Sequence, residues 1–149
     1  MFDDEDFDDE ELERERKEEK ERVKNLPIVK KAEDLMNTVL AFLESVDDNE
    51  DDVELKPYLF EDISVINAKI HGAEAGDLFS IRMENAVIIK VHALNIRNIM
   101  HTYEMMGIGN PDYLELIRNE IEEFRKVFVD WVATFQRNDD FPDEWGLFN

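Results

Sequence analysis

Residues 77–106 read DLFSIRMENAVIIKVHALNIRNIMHTYEMM. These thirty residues contain neither Pro nor Gly, the two residues that most disrupt a helix interior, and as one helix they would extend about 45 Å. Apolar side chains recur on almost every side of that helix, which places it in the middle of a packed assembly. Arg82, Asn85, Lys90, His92, Asn95, Arg97 and His101 interrupt the apolar surface, so each is either a satisfied core group or a working one.

The flanking segments supply helices for it to pack against. Pro27 suits a first helical turn, and Ile28, Ala32, Leu35, Val39, Leu43 and Val46 follow at three- and four-residue steps, predicting a helix over about 27–46. The run Asp47-Asp48-Asn49-Glu50-Asp51-Asp52 breaks it as a solvated loop, without the central Gly and terminal Glu of a calcium-binding EF-hand loop. From about Lys56, the stripe Leu59, Ile63, Ile66, Ile70 and Ala73 predicts a second helix. Gly76 is placed to take a left-handed terminal conformation and Asp77 to cap the long helix. The turn Gly107-Ile108-Gly109-Asn110-Pro111 ends that helix, and Ile117, Ile121, Phe124, Phe128, Trp131 and Phe135 form the stripe of the last one. Four helices joined by short connections are expected to run antiparallel, giving an all-α, up-and-down four-helix bundle over residues 25–137.

Two acidic segments flank this unit. Residues 1–24 hold thirteen acids and six bases, with Phe2, Phe7, Leu12 and Val23 as their only large apolar side chains after Met1. Such a leader cannot bury a core of its own. Glu10 with Arg14, Glu13 with Lys17 and Glu18 with Arg22 are spaced to support a solvated helix, so a disordered acidic tip running into a frayed helix is expected. Residues 138–149 carry Phe141, Trp145, Leu147 and Phe148 among acids, a density of apolar groups that should dock on the bundle or on another subunit.

Composition narrows the function. Asp and Glu number 38 against 17 Lys and Arg, a formal net charge of −21, which disfavours direct nucleic-acid binding and anionic membranes. There is no Cys, hence no disulfide framework or thiolate metal site. The beginning Met1-Phe2-Asp3-Asp4-Glu5 is the reverse of a signal peptide, and no apolar run reaches membrane-spanning length. A cytoplasmic protein without cofactor is expected.

The histidines do not assemble a metal site. His71-x-x-Glu74 and His101-x-x-Glu104 invert the Glu-x-x-His element of di-metal bundles, and in an antiparallel bundle they stand roughly 30 Å apart. His92 and His101 fall on opposite faces of the long helix. Asn85, His92 and Tyr103 read as a buried polar seam that sets helix register. The opposite stripe, Lys90, Arg97, His101 and Glu104, is the candidate binding surface, with Phe141, Trp145 and Phe148 of the tail as further candidates. Arg97 and His101, four residues apart, can address one phosphate or carboxylate.

Two resemblances bear on these residues. Arg97-Asn98-Ile99-Met100-His101-Thr102-Tyr103 resembles the Arg-polar-x-x-x-His-x-Tyr element of HEPN ribonucleases, with three residues between Arg and His where that element has four or more. The resemblance implies an RNA-cleaving pair in Arg97 and His101. Over about 27–135, the Ile28-Val29-Lys30-Lys31-Ala32 start, the Ala68-x-Ile70 and Ala73-Glu74-Ala75-Gly76 region, the long helix ending near Met106-Gly107 and the Glu-rich last helix are similar to small four-helix-bundle proteins encoded by ribosomal RNA intervening sequences. That implies an up-and-down bundle that forms ring-like homo-oligomers, and it implies no catalytic residues. The expectation is therefore a non-enzymatic bundle acting through protein contacts, by self-assembly or with a basic or apolar partner. The alternatives are the HEPN-like ribonuclease and an acidic nucleic-acid mimic.

Overall fold

The computed structural model describes residues 4–137 and 141–148, with side chains from residue 8 onward. The described residues form five α-helices and no strand: α1 Asp4–Lys24, α2 Pro27–Ser45, α3 Lys56–Glu74, α4 Phe79–Met106 and α5 Pro111–Val132. The described residues thus hold five helices where a four-helix bundle was expected, the fifth being the leader helix, which is continuous from Asp4 to Lys24. The leader's first three residues lie outside the described ones. The ion pairs of α1 also differ from expectation: they join Glu11 to Arg14 at 3.8 Å and Glu19 to Arg22 at 2.6 Å, at three-residue spacing.

Each of α2–α5 packs against two of the others: α2 on α3 and α5, and α4 on α3 and α5, with the α3–α4 seam the most extensive. The expected stripes supply the core. Leu59, Ile63, Ile66, Ile70 and Ala73 are all buried, as are Ile117, Ile121 and Phe124 from α5. A fully buried aliphatic or aromatic side chain of this size contributes about 1.5–3 kcal/mol by leaving water. In the last turn of α2 the buried residue is Phe42 rather than Leu43, since the ring fills the space between Tyr103 and Tyr113, with centroids 5.7 and 6.1 Å away.

The helix ends explain the loops. Gly107 adopts φ 68°, and the amides of Gly107 and Ile108 donate to the carbonyls of Glu104 and Tyr103, a left-handed stop that satisfies the last carbonyls of α4. Asn110 then caps α5 by accepting from the Asp112 amide at 2.9 Å, with Pro111 in the first turn. Two expectations at the α3–α4 corner fail. Ala75 ends α3 in right-handed geometry and Gly76 has no positive φ, while α4 starts after Leu78 without a side-chain cap, so Asp77 does not cap it. The loop before α3 is not simply solvated either, because Asp51 is only 5% exposed. Its carboxylate accepts from the amides of Leu55 at 3.1 Å and Lys56 at 2.9 Å, so it satisfies donors at the start of α3 that a helix cannot satisfy itself.

Candidate functional site

The stripe of Lys90, Arg97, His101 and Glu104 lies on the outside of α4, and all four residues are exposed. Packing of α5 beside it divides the stripe in two. Lys90 and Arg97 line a groove of about 260 Å³ between α4 and α5, across from Glu122 and Arg125 and over Leu94, Phe124 and Phe128. Arg125 holds Glu122 through its Nε and Nη2 at 3.0 and 2.5 Å. That hydrogen bonding keeps the Glu122 carboxyl below its ordinary range, with a smaller contribution from the charge of Arg97. Neither Lys90 nor Arg97 forms an ion pair among the described residues.

His101 and Glu104 lie further along α4 and outside that groove. The His101 Nδ1 is 3.8 Å from the Glu104 carboxylate, which also accepts from Arg118 of α5. Arg118 is the chief reason the Glu104 carboxyl titrates below its usual range. Arg97 and His101 thus have different neighbours: a cationic groove for one and a salt-bridged acid for the other.

The tail was expected to dock on the bundle or on another subunit, and most of its large apolar side chains are not covered by its own chain. Phe141, Trp145 and Leu147 are 75%, 87% and 68% exposed, and Phe148 is half-buried. Its shape comes from Asp143, whose carboxylate accepts from the amides of Trp145 at 3.0 Å, Leu147 at 2.8 Å and Phe148 at 3.3 Å. These three donors hold the Asp143 carboxyl below the normal aspartate range. Residues 138–140 at the root of the tail, and Asn149, lie outside the described residues.

The expected seam of Asn85, His92 and Tyr103 is not one seam. Asn85 donates back to the Ile81 carbonyl of its own helix at 2.9 Å. The His92 Nδ1 lies 2.6 Å from the Asp62 carboxylate of α3, which Asn95 also approaches at 3.4 Å. Asp62 is 5% exposed, so its acceptors find their donors on α4. Tyr103 is fully buried and donates to Asp51 at 2.9 Å. Burial first, then the hydrogen bond and charge of Asp51, push the phenol well above its ordinary value.

The most heavily cross-linked polar group is one the sequence set beside the wrong partner, His71. Glu74, the last residue of α3, accepts from Arg22 of α1 at 3.1 Å, from Arg82 of α4 at 2.7 Å and from the Trp131 indole of α5 at 2.8 Å. Its side chain is 6% exposed, and Arg82 also lies over the Phe135 ring at 4.0 Å. One carboxylate thereby joins four helices at one end of the molecule, beside a cleft of about 930 Å³. The signal that could have found it is the Trp in the α5 stripe, because a buried indole N–H needs an acceptor. Among the described residues no group of three or more possible metal ligands occurs and no helix is long and apolar enough to cross a membrane. Compared with protein-family models, curated proteins and solved structures, the chain gives no match.

Proposed function

We propose that this protein is a non-enzymatic helical bundle that acts through protein–protein contacts, foremost with copies of itself, and that α2–α5 form an up-and-down four-helix unit to which α1 is an accessory. The observation that carries the reading is the outward surface of α4. Val87 and Val91 are 44% and 48% exposed and, with Leu94, follow at four- and three-residue steps along one line of the helix. Leu94 lines the groove against α5, and Val129 across that groove is 53% exposed. Apolar side chains scattered singly over a surface are ordinary, whereas a contiguous group rimmed by charge marks an interaction site. The resemblance to ring-forming bundles points the same way. A ribonuclease would need Arg97 and His101 to share a phosphate, and their separate neighbours give that reading less support.

Static light scattering over a dilution series tests it. The full chain is expected to exceed its monomer mass of 17.6 kDa as concentration rises. Val87→Asp with Val91→Asp should return it to monomer with an unchanged helical circular dichroism signal. A wild-type mass that stays at the monomer value at every concentration would sink self-association.

A further inference from the structure

The chain carries two features of opposite charge, each with apolar surface. One is the α4–α5 groove, where Lys90, Arg97 and Arg125 stand against the single carboxylate Glu122 over an apolar floor. In a chain of net charge −21 this is a local reversal of sign, and its two α4 cations have no ion-pair partner among the described residues. The other is the tail, which carries Asp139, Asp140, Asp143 and Glu144 without a cation from 138 to 149. Asp143 folds it into a turn that presents Trp145 and Leu147 to water. The sign of charge, the apolar content and the size match: about 260 Å³ suits a large side chain or two rather than a helix.

From these complementary halves we infer that the acidic-aromatic tail of one copy docks in the α4–α5 groove of a second copy, with Trp145 or Leu147 on the apolar floor and the tail carboxylates on Lys90 and Arg97. The inference rests on the self-contact reading above and names its ligand. The tail is rooted at the opposite end of α4 from the stripe's histidine: Arg137 stacks on the Phe79 ring at 4.4 Å, while Lys90 and Arg97 lie about 16 and 27 Å further along the helix. None of the described tail residues lines the groove of its own chain, and Asp143 folds them into a turn. Exchange between two copies satisfies two grooves with two tails and closes the assembly, as a two-fold interface does. Oppositely charged rims set the register and speed the encounter, and a buried aromatic supplies the affinity.

Three full-length proteins test the inference by sedimentation velocity: wild type, a groove variant with Lys90→Glu and Arg97→Glu, and a tail variant with Trp145→Ala and Leu147→Ala. All four altered positions are exposed, so circular dichroism should report the same fold in each. Wild type is expected to dimerise reversibly. The groove variant should weaken dimerisation at least about tenfold and the tail variant about thirtyfold, as for loss of an aromatic anchor. Mixing the two variants should restore part of the dimer, because the mixed pair retains one intact tail and one intact groove. Dimerisation of the tail variant at the wild-type concentration would overturn tail docking and leave self-contact through Val87 and Val91 standing. Two variants that are each monomeric but fail to complement would place the tail in the groove of its own chain and also overturn the inference. A wild type that is monomeric throughout would remove both readings.

Discussion

Tyr103, three residues from the end of α4, donates its phenolic hydrogen to Asp51 in the α2–α3 loop across 2.9 Å, and both residues are buried. The same Asp51 oxygen accepts from the Leu55 amide. The bond therefore joins the end of the longest helix to the start of α3 through a carboxylate that would otherwise lack water. A buried acid of this kind is tolerated only because its acceptors are occupied.

Tyr103→Phe should cost about 1–3 kcal/mol, the range for leaving a buried acceptor short of a partner, read from urea midpoints at neutral pH. The phenol also predicts an alkaline limit. Its folded pKa is raised above the ordinary tyrosine value of 10.0, so the unfolded chain loses this proton first. The stabilisation is complete below that value and declines as pH rises above it. Tyr103→Phe should flatten the alkaline part of the stability profile, and an unchanged slope would remove Tyr103 as its source.

Glu74→Ala should be among the most damaging single changes in the chain. It leaves the Arg82 guanidinium and the Trp131 indole without the acceptor they share, and breaking a buried ion pair from one side costs about 3–5 kcal/mol. Chemical denaturation gives the magnitude. Hydrogen exchange gives the location, because loss of the Arg22 contact should raise exchange at the C-terminal end of α1 more than at its exposed start. A loss below about 1 kcal/mol would mean the cluster behaves as an exposed one.

Gly109→Ala should destabilise more than Gly107→Ala. Both glycines have positive φ, 79° and 68°, where an L side chain costs about 1–2 kcal/mol. Only at Gly109 does an added Cβ collide, lying 2.9 and 3.1 Å from ring atoms of Phe42, while at Gly107 nothing lies within 4 Å. Overpacking of this kind adds about 1–3 kcal/mol. Thermal unfolding of the two variants side by side checks the order.

Asp143 predicts an acid-sensitive tail. Its folded pKa is depressed by three backbone donors, the Trp145 amide foremost. The turn is therefore fully supported above the ordinary aspartate value of 3.8 and is lost as pH falls through the lower folded value. Asp143→Ala should remove protection of the Trp145 and Leu147 amides at neutral pH, measured by hydrogen exchange, without shifting the unfolding midpoint of the helices. Protection that survives the substitution would mean that other contacts hold the turn.

The candidate residues were readable in the sequence to different depths. Lys90 and Arg97 could be placed on one side of α4 by counting residues, since helical periodicity is local. Their separation from His101 and Glu104 could not, because it depends on where α5 puts Glu122, Arg125 and Arg118. His92 was recognisable as a group needing a partner, but the partner, Asp62, falls between the apolar positions Leu59 and Ile63 of a stripe that draws attention only to its hydrophobic members. Glu74 was noticed for its spacing from His71 and belongs instead with Arg22, Arg82 and Trp131, none of them on its own helix.

Sequence alone determined the positions of α2–α5, with observed limits close to those expected, because apolar spacing, proline at a first turn and glycine past a last one all act within a few residues. It also determined the acidity and the apolar content of the tail. Tertiary structure decided that the leader helix is tied down through Arg22 and Glu74, and that Asp51 and Asp62 are buried. It also decided that the outer side of α4 stays exposed beside a cationic groove. Each of these depends on which residues from distant parts of the chain share one small volume, and the free energy of a buried carboxylate is set by the donors that reach it there rather than by its neighbours in sequence.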